Sequence, residues 1–254
     1  LDPEAYRLQI ANGCIRLIGS GERGVHLARQ TLAQLRLLTG QSCPHLEIED
    51  EPDLEVRGYM LDISRCKVPR MNHLFRLVDL LSFFKYNQFQ LYTEHTFAFA
   101  GHETVWKDAS PMTPAQIREL EAYCADRYIE LVPNQNAFGH MERWLRHPEY
   151  EHLAECPHGF LHPISGWKPH GSVLFPNTDS LEFIDGLMEQ LLPCFRSKLL
   201  HLGCDEPWEL GQGRSFERIE QKGRHTVFRD YVADLHALAA KHGKEKAGGL
   251  QINT

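Results

Sequence analysis

Residues 199 to 210 read Leu-Leu-His-Leu-Gly-Cys-Asp-Glu-Pro-Trp-Glu-Leu. Six residues of strand character run into two adjacent carboxylates, Asp205 and Glu206, followed by Pro207 and Trp208. Acid pairs are common on solvated loops, so the dipeptide by itself does not separate a loop from a site. The segments before it decide that question.

Reading backwards, Leu181 to Phe195 carries apolar residues at helical spacing and leads into this strand. Earlier come a strand over Val56 to Ile63, an amphipathic helix over Asn72 to Phe84, a strand over Asn87 to Tyr92, and a helix from Thr113 to Asp126. The last of these starts Thr113-Pro114-Ala115-Gln116, a capping box with proline at the first helical position. Ile129 to Pro133 is the third strand, a long His-, Pro- and Gly-rich loop covers Trp144 to Thr178, and a final helix spans about Val227 to His242. Four strands each followed by a helix predict a parallel α/β sheet. In such units the loops after the strands carry the chemistry. Asp62 and Arg65, Glu94 and His95, Asn134, Asn136 and His140, and Asp205 and Glu206 then all fall at the carboxyl end of the sheet.

Residues 1 to 55 follow another pattern. Tyr6 to Ile10 and Cys14 to Ile18 alternate around Asn12-Gly13, a hairpin signal, and Val25 to Leu38 has helical periodicity. This predicts a remnant of a small α+β domain, with the acidic stretch Glu47 to Glu55 as its boundary to a second domain over 56 to 254.

Composition bounds the function classes. The net charge is -7 with no sustained basic run, which argues against nucleic acid, and no apolar run is long enough to span a membrane. Seven cysteines without a C-x-x-C fit free thiols in a reducing, cytoplasmic compartment. Cys156, His158 and His162 have no fourth partner at a metal-site spacing, so no metal is expected there. Trp106, Trp144 and Trp167 could line a sugar site or simply pack.

Four motifs tie these pieces together: R-G-Y-M-L-D-I-S-R (57 to 65), K-Y-N-Q-F-Q-L-Y (85 to 92), I-E-L-V-P-N-Q-N-A-F-G-H (129 to 140) and H-L-G-C-D-E (201 to 206). In order and spacing they resemble the successive βα motifs of the family 20 glycoside hydrolases, exo-acting β-N-acetylhexosaminidases. The resemblance covers about residues 1 to 243. It implies a (β/α)8 barrel, of which about the first four βα units are present, and an amino-sugar oligosaccharide or glycoconjugate as substrate.

Carried over by motif, Asp205 would hold the 2-acetamido group and Glu206 would be the general acid/base of a retaining, substrate-assisted mechanism. Arg57 would grip hydroxyls of the terminal sugar, and Glu94 and His140 would support the acid/base. Asn134 and Asn136 stand where the family has acids, Phe138 where it has proline, and Cys204 where it has a second glycine; Asn136 is kept among the substrate-binding positions.

Two other readings stay open. One is a half-barrel that binds sugar without turnover; the other is an inverting glycosidase with Glu94 as the second acid. The tail after His242 shows no apolar strand, so the open edge of the fourth strand predicts a homo-oligomer or a complementing chain.

Overall fold

A computed structural model describes residues 2–40 and 42–246. They form two compact units, each with its own interior. The first takes in the chain up to Met60 with Arg70–Phe89 and Glu119–Leu131; the second takes in Leu61–Pro69, Gln90–Arg118 and the chain from Val132 on.

In the first unit, β1 (Tyr6–Ala11) and β2 (Cys14–Gly19) form the expected hairpin. Asn12 and Gly13 both have positive φ, 52° and 73°, as a two-residue hairpin turn of the right twist requires. Helix α1 (Glu22–Thr39) packs Leu27 and Ala28 against Tyr6, Leu8 and Ile10 of β1. Each large apolar side chain buried there contributes about 1.5–3 kcal/mol. A third strand, β3 (Leu46–Asp50), pairs antiparallel with β1. The first part of the acidic stretch Glu47 to Glu55 is this strand. Leu46 and Ile48 pack on the core while Glu47 and Glu49 face Arg7 and Gln9, so the charge belongs to one face of a strand.

The next strands, β4 (Gly58–Asp62) and β5 (Gln88–Tyr92), flank helix α2 (Met71–Phe83). Short helix α3 (Glu103–Trp106) and helix α4 (Pro114–Ala125) precede β6 (Glu130–Val132). The capping box of α4 is reciprocal, with Thr113 N donating to Gln116 Oε1 (2.9 Å) and Gln116 N to Thr113 Oγ1 (3.2 Å). The strand order is β4-β5-β6. Hydrogen bonds advance together along each pair: Asn87 N to Arg57 O and Ile63 N to Tyr92 O, then Glu130 N to Asn87 O and Asn136 N to Thr93 O. The strands are therefore parallel.

In the second unit, the long loop contains α5 (Glu142–Leu145) and a hairpin of β7 (Phe160–His162) with β8 (Gly166–Lys168). Helix α6 (Thr178–Leu191) is capped by the Asn177 carboxamide, which accepts from Ser180 N. Strand β9 (Leu199–Leu200) bonds to the end of β6 through a parallel bridge between Asn134 and His201. Helices α7 (Phe216–Lys222) and α8 (Arg224–Lys241) follow. Beyond them β10 (Glu245–Lys246) pairs parallel with β9, Glu245 with Leu199 and Lys246 with Leu200. The sequence placed no strand here. A parallel ladder is made by backbone groups, so so short a pairing gives no apolar pattern to read. A fifth parallel strand thus follows the four expected. Residues 247 to 254 of the tail lie outside the described residues. No described helix is long and apolar enough to cross a membrane.

Candidate active site

The loops after β4, β5, β6 and β9 meet in the second unit. Strand β9 stops after two residues because the next ones leave extended geometry: Gly203, Cys204 and Glu206 have φ of 68°, 72° and 50°. For the two non-glycine residues this costs on the order of 1 kcal/mol or more each, a strain found at functional loops. Glycine is required at 203, where a Cβ would strike the Asn136 carboxamide. Gly139 has a different reason: a Cβ there would land on the backbone carbonyl of Asp205. Cys204 is buried, and burial pushes its thiol up to about 12, so it is an inert apolar filler.

His140, itself at φ 59°, is the centre of the acidic cluster. Its Nε2 lies 3.4 Å from Asp205 Oδ2 and 3.6 Å from Glu206 Oε2, and its Nδ1 4.0 Å from Glu94 Oε1. These are ionic contacts; Nε2 makes no aligned hydrogen bond. Burial pushes the imidazole down, but the Asp205 and Glu94 carboxylates outweigh it and hold His140 above its ordinary value. In return, His140 keeps the Asp205 carboxyl below the usual range despite partial burial. Asp205 is therefore an anion, and its side chain is 41% exposed against 54% for Glu206.

Beneath the pair runs a buried polar network. Tyr92 Oη donates to Glu94 Oε1 (2.9 Å) and accepts from Asn136 Nδ2 (2.7 Å). Arg65 reaches the same Glu94 oxygen at 3.5 Å and pairs with Asp62 at 2.6 Å. Burial raises the Glu94 carboxyl, the Tyr92 and Arg65 contacts opposing it. The Trp144 indole donates to the Glu94 carbonyl (2.7 Å). The amides at 134 and 136 now have a reason. Asn134 accepts from Thr93 N (2.8 Å) and donates to His201 Nδ1 (2.6 Å), whose ring burial keeps neutral; a carboxylate could not donate there. Asn136 Oδ1 and Gln135 Oε1 remain buried acceptors without a partner.

A cavity of about 300 Å³ opens over this floor, lined by Arg65, Glu94, His140 and Glu206 with Ser172 and Trp208. The structure thus brings together Asp205, Glu206, Glu94, Asn136 and His140. It does not bring Arg57. Arg57 precedes β4, at the amino end, and its guanidinium donates to Lys85 O, Leu54 O and Glu4, one structural bond from each nitrogen. Arg57, expected to grip a sugar, does not line the cavity, whereas Arg65, at the other end of the strand, lines it together with Arg143. Asp62 accepts from Ser64 N and the Arg65 side chain.

Trp144 is fully buried, Trp106 donates to Phe99 O, and Trp167 is exposed. Cys156 is buried while the His158 side chain is 90% exposed, so that trio is not assembled. Among the described residues no group of three His, Cys, Asp or Glu side chains could hold a metal. The sequence alone singled out neither Tyr92 nor two buried acids, Glu155 and Glu209. Glu155 takes Ser215 Oγ (2.6 Å) and the Gly211 and Ser215 amides. Glu209 takes the Ser172 and Val173 amides. Tyr92 stands two residues from Glu94, which was the available signal.

Over residues 55–248 the sequence matches the catalytic domain of glycosyl hydrolase family 20, and over 1–51 that family's domain 2. The chain belongs to glycosyl hydrolase family 20. Its relatives in the family include β-hexosaminidases of Porphyromonas gingivalis (26% identity over 99% of this chain and 36% of that protein) and Akkermansia muciniphila (26%, 96% and 55%). The chain thus spans between about a third and a half of their length. Among solved structures, the family 20 chitobiase of Flavobacterium johnsoniae aligns with a TM-score of 0.80 at 23% identity, over 96% of this chain and 39% of that one. A family 20 exo-β-N-acetylglucosaminidase of Vibrio harveyi, solved with N-acetylglucosamine, gives 0.80 at 22%, over 97% and 44%. The shared fold is that of a TIM-barrel family.

Proposed function

We propose that this chain carries the acidic half of the active site of a β-N-acetylhexosaminidase that removes terminal β-linked N-acetylhexosamine with retention. The observation that carries the reading is the unlike pair on one loop: Asp205, ionised against His140, beside the more exposed Glu206 at the cavity. An anion that does not itself attack is suited to polarise the substrate's acetamido N–H and stabilise positive charge on the ring formed when the acetamido oxygen attacks the anomeric carbon. Glu206 gives its proton to the leaving oxygen as that bond breaks. Water then opens the oxazoline, and Glu206 takes the water's proton. Arg65, drawn toward the cavity floor by Asp62 and Glu94, binds sugar hydroxyls.

Chromogenic β-N-acetylglucosaminides test this. Glu206→Gln is expected to stop cleavage of poor leaving groups and largely spare activated ones, because an activated aglycone leaves without protonation. Equal loss on both would remove Glu206 from the acid/base role; sugar binding without any turnover would favour the non-catalytic module. The free thiols support a reducing compartment as part of the reading. Assembly with a second copy or a complementing chain is also proposed, and a monodisperse monomer in light scattering would refute it.

A further inference from the structure

Beside the active cavity lies a larger one of about 660 Å³, and the two share Ser64, Arg65 and Arg143 in their linings. Its charge is one-sided. Lys67, Lys107, Arg143 and Arg146 line it with Arg65, against one carboxylate, Asp108, in a chain whose net charge is -7. Arg65 is neutralised by Asp62 and Glu94, but among the described residues the other four cations have no ion pair or side-chain hydrogen bond.

Two imidazoles add unspent capacity. His95 is 5% exposed and its Nδ1 has no hydrogen-bond partner; His147 Nε2 is likewise buried and unpaired. Burial and the charges of Arg143 and Arg146 push His95 down to about 4, and burial with Arg146 lowers His147 as well. Cations that suppress protonation of neighbouring imidazoles mark a locally positive field, and buried polar atoms without partners call for one. An oxyanion would supply both the missing charge and the missing acceptor.

We propose that this cavity is an anion subsite, taking a sulfate, phosphate or carboxylate substituent of the amino-sugar glycoconjugate whose terminal sugar occupies the adjoining cavity. The substrate part rests on the hexosaminidase reading. The anion part stands on the cavity alone.

The test uses the full chain and its Lys107→Ala/Arg146→Ala variant; both side chains are exposed and neither lines the active cavity. Inorganic sulfate and phosphate are titrated while the His95 and His147 imidazole resonances are followed by NMR. The expected result is a saturable shift with a rise in both imidazole pKa values, weakened about tenfold or more in the variant. No saturable shift, or the same affinity in the variant, overturns the anion subsite. Kinetics then compare a neutral β-N-acetylglucosaminide with its 6-sulfated counterpart. The variant is expected to lose about tenfold in kcat/KM on the sulfated substrate and less than about twofold on the neutral one. An unchanged ratio overturns the assignment to substrate. Failure to hydrolyse either compound refutes the hydrolase reading and with it the substrate part, while the titration still decides the anion site.

Discussion

Replacing Glu209 by glutamine removes a proton from the folding equilibrium without changing the shape of the side chain. Glu209 is fully buried, with its Oε1 accepting the Ser172 and Val173 amides and its Oε2 without a partner. Two donors on one oxygen leave the other to carry the proton, and burial raises the carboxyl to about 8, with Glu155 adding to the rise. In the unfolded chain it titrates near ~4.3.

The native state therefore holds this proton over a range where the unfolded state has lost it. The stabilisation is fully present below about pH 4.3 and declines as pH rises toward 8, by about 1.4 kcal/mol for each pH unit. By pH 7 the loss is on the order of 3–4 kcal/mol. Glu209→Gln keeps the two amide bonds and does not titrate. It costs about 1 kcal/mol at every pH for the extra buried donor, yet should gain on the wild type steadily between pH 5 and 8. Urea melts at four pH values measure this directly. Parallel stability profiles for the two proteins would show that Glu209 is ionised in the native state and would refute the argument.

Three further outcomes follow from the same structure. Arg57→Ala leaves the buried Glu4 only the longer Arg23 contact, at 3.9 Å, and should lower stability by about 1–3 kcal/mol in chemical denaturation while leaving KM unchanged; a raised KM with an unchanged melt would return Arg57 to the site. Gly139→Ala pushes a methyl into the Asp205 carbonyl, so it should lower the melting temperature, at a cost of about 1–3 kcal/mol, and abolish turnover even of activated substrates. Asp205→Asn removes the first of the charges that raise His140, so the imidazole pKa followed by NMR should fall, and turnover of acetamido sugars should fall with it. An unmoved His140 would mean that the 3.4 Å contact is not an electrostatic one.

Local rules gave the sequence reading its reach. Period two around Asn12-Gly13 gives the hairpin, the Thr113 to Gln116 box starts α4, and strand-helix alternation sends Glu94, Asn136, His140, Asp205 and Glu206 to one end of a parallel sheet. Each depends on neighbours a few residues apart, so each leaves its mark in the string of letters. The strand character of Leu46 to Asp50 is masked by its charge, although Leu46 and Ile48 carry the alternation.

What the string does not hold is which side chains are already spent. Arg57 and Arg65 sit in one motif, and only the fold assigns the first to Glu4 and the second to Glu94. Asn134 looks like a lost acid until His201, 67 residues away, requires a donor. The same holds for Glu209, whose titration is set by amides from another loop, and for the four unpaired cations collected around one cavity. Hydrogen bonds and charges act through a few ångströms of space. Separation along the chain says nothing about them, so the sequence determined the residues at the sheet's end and the tertiary structure decided what each of them is free to do.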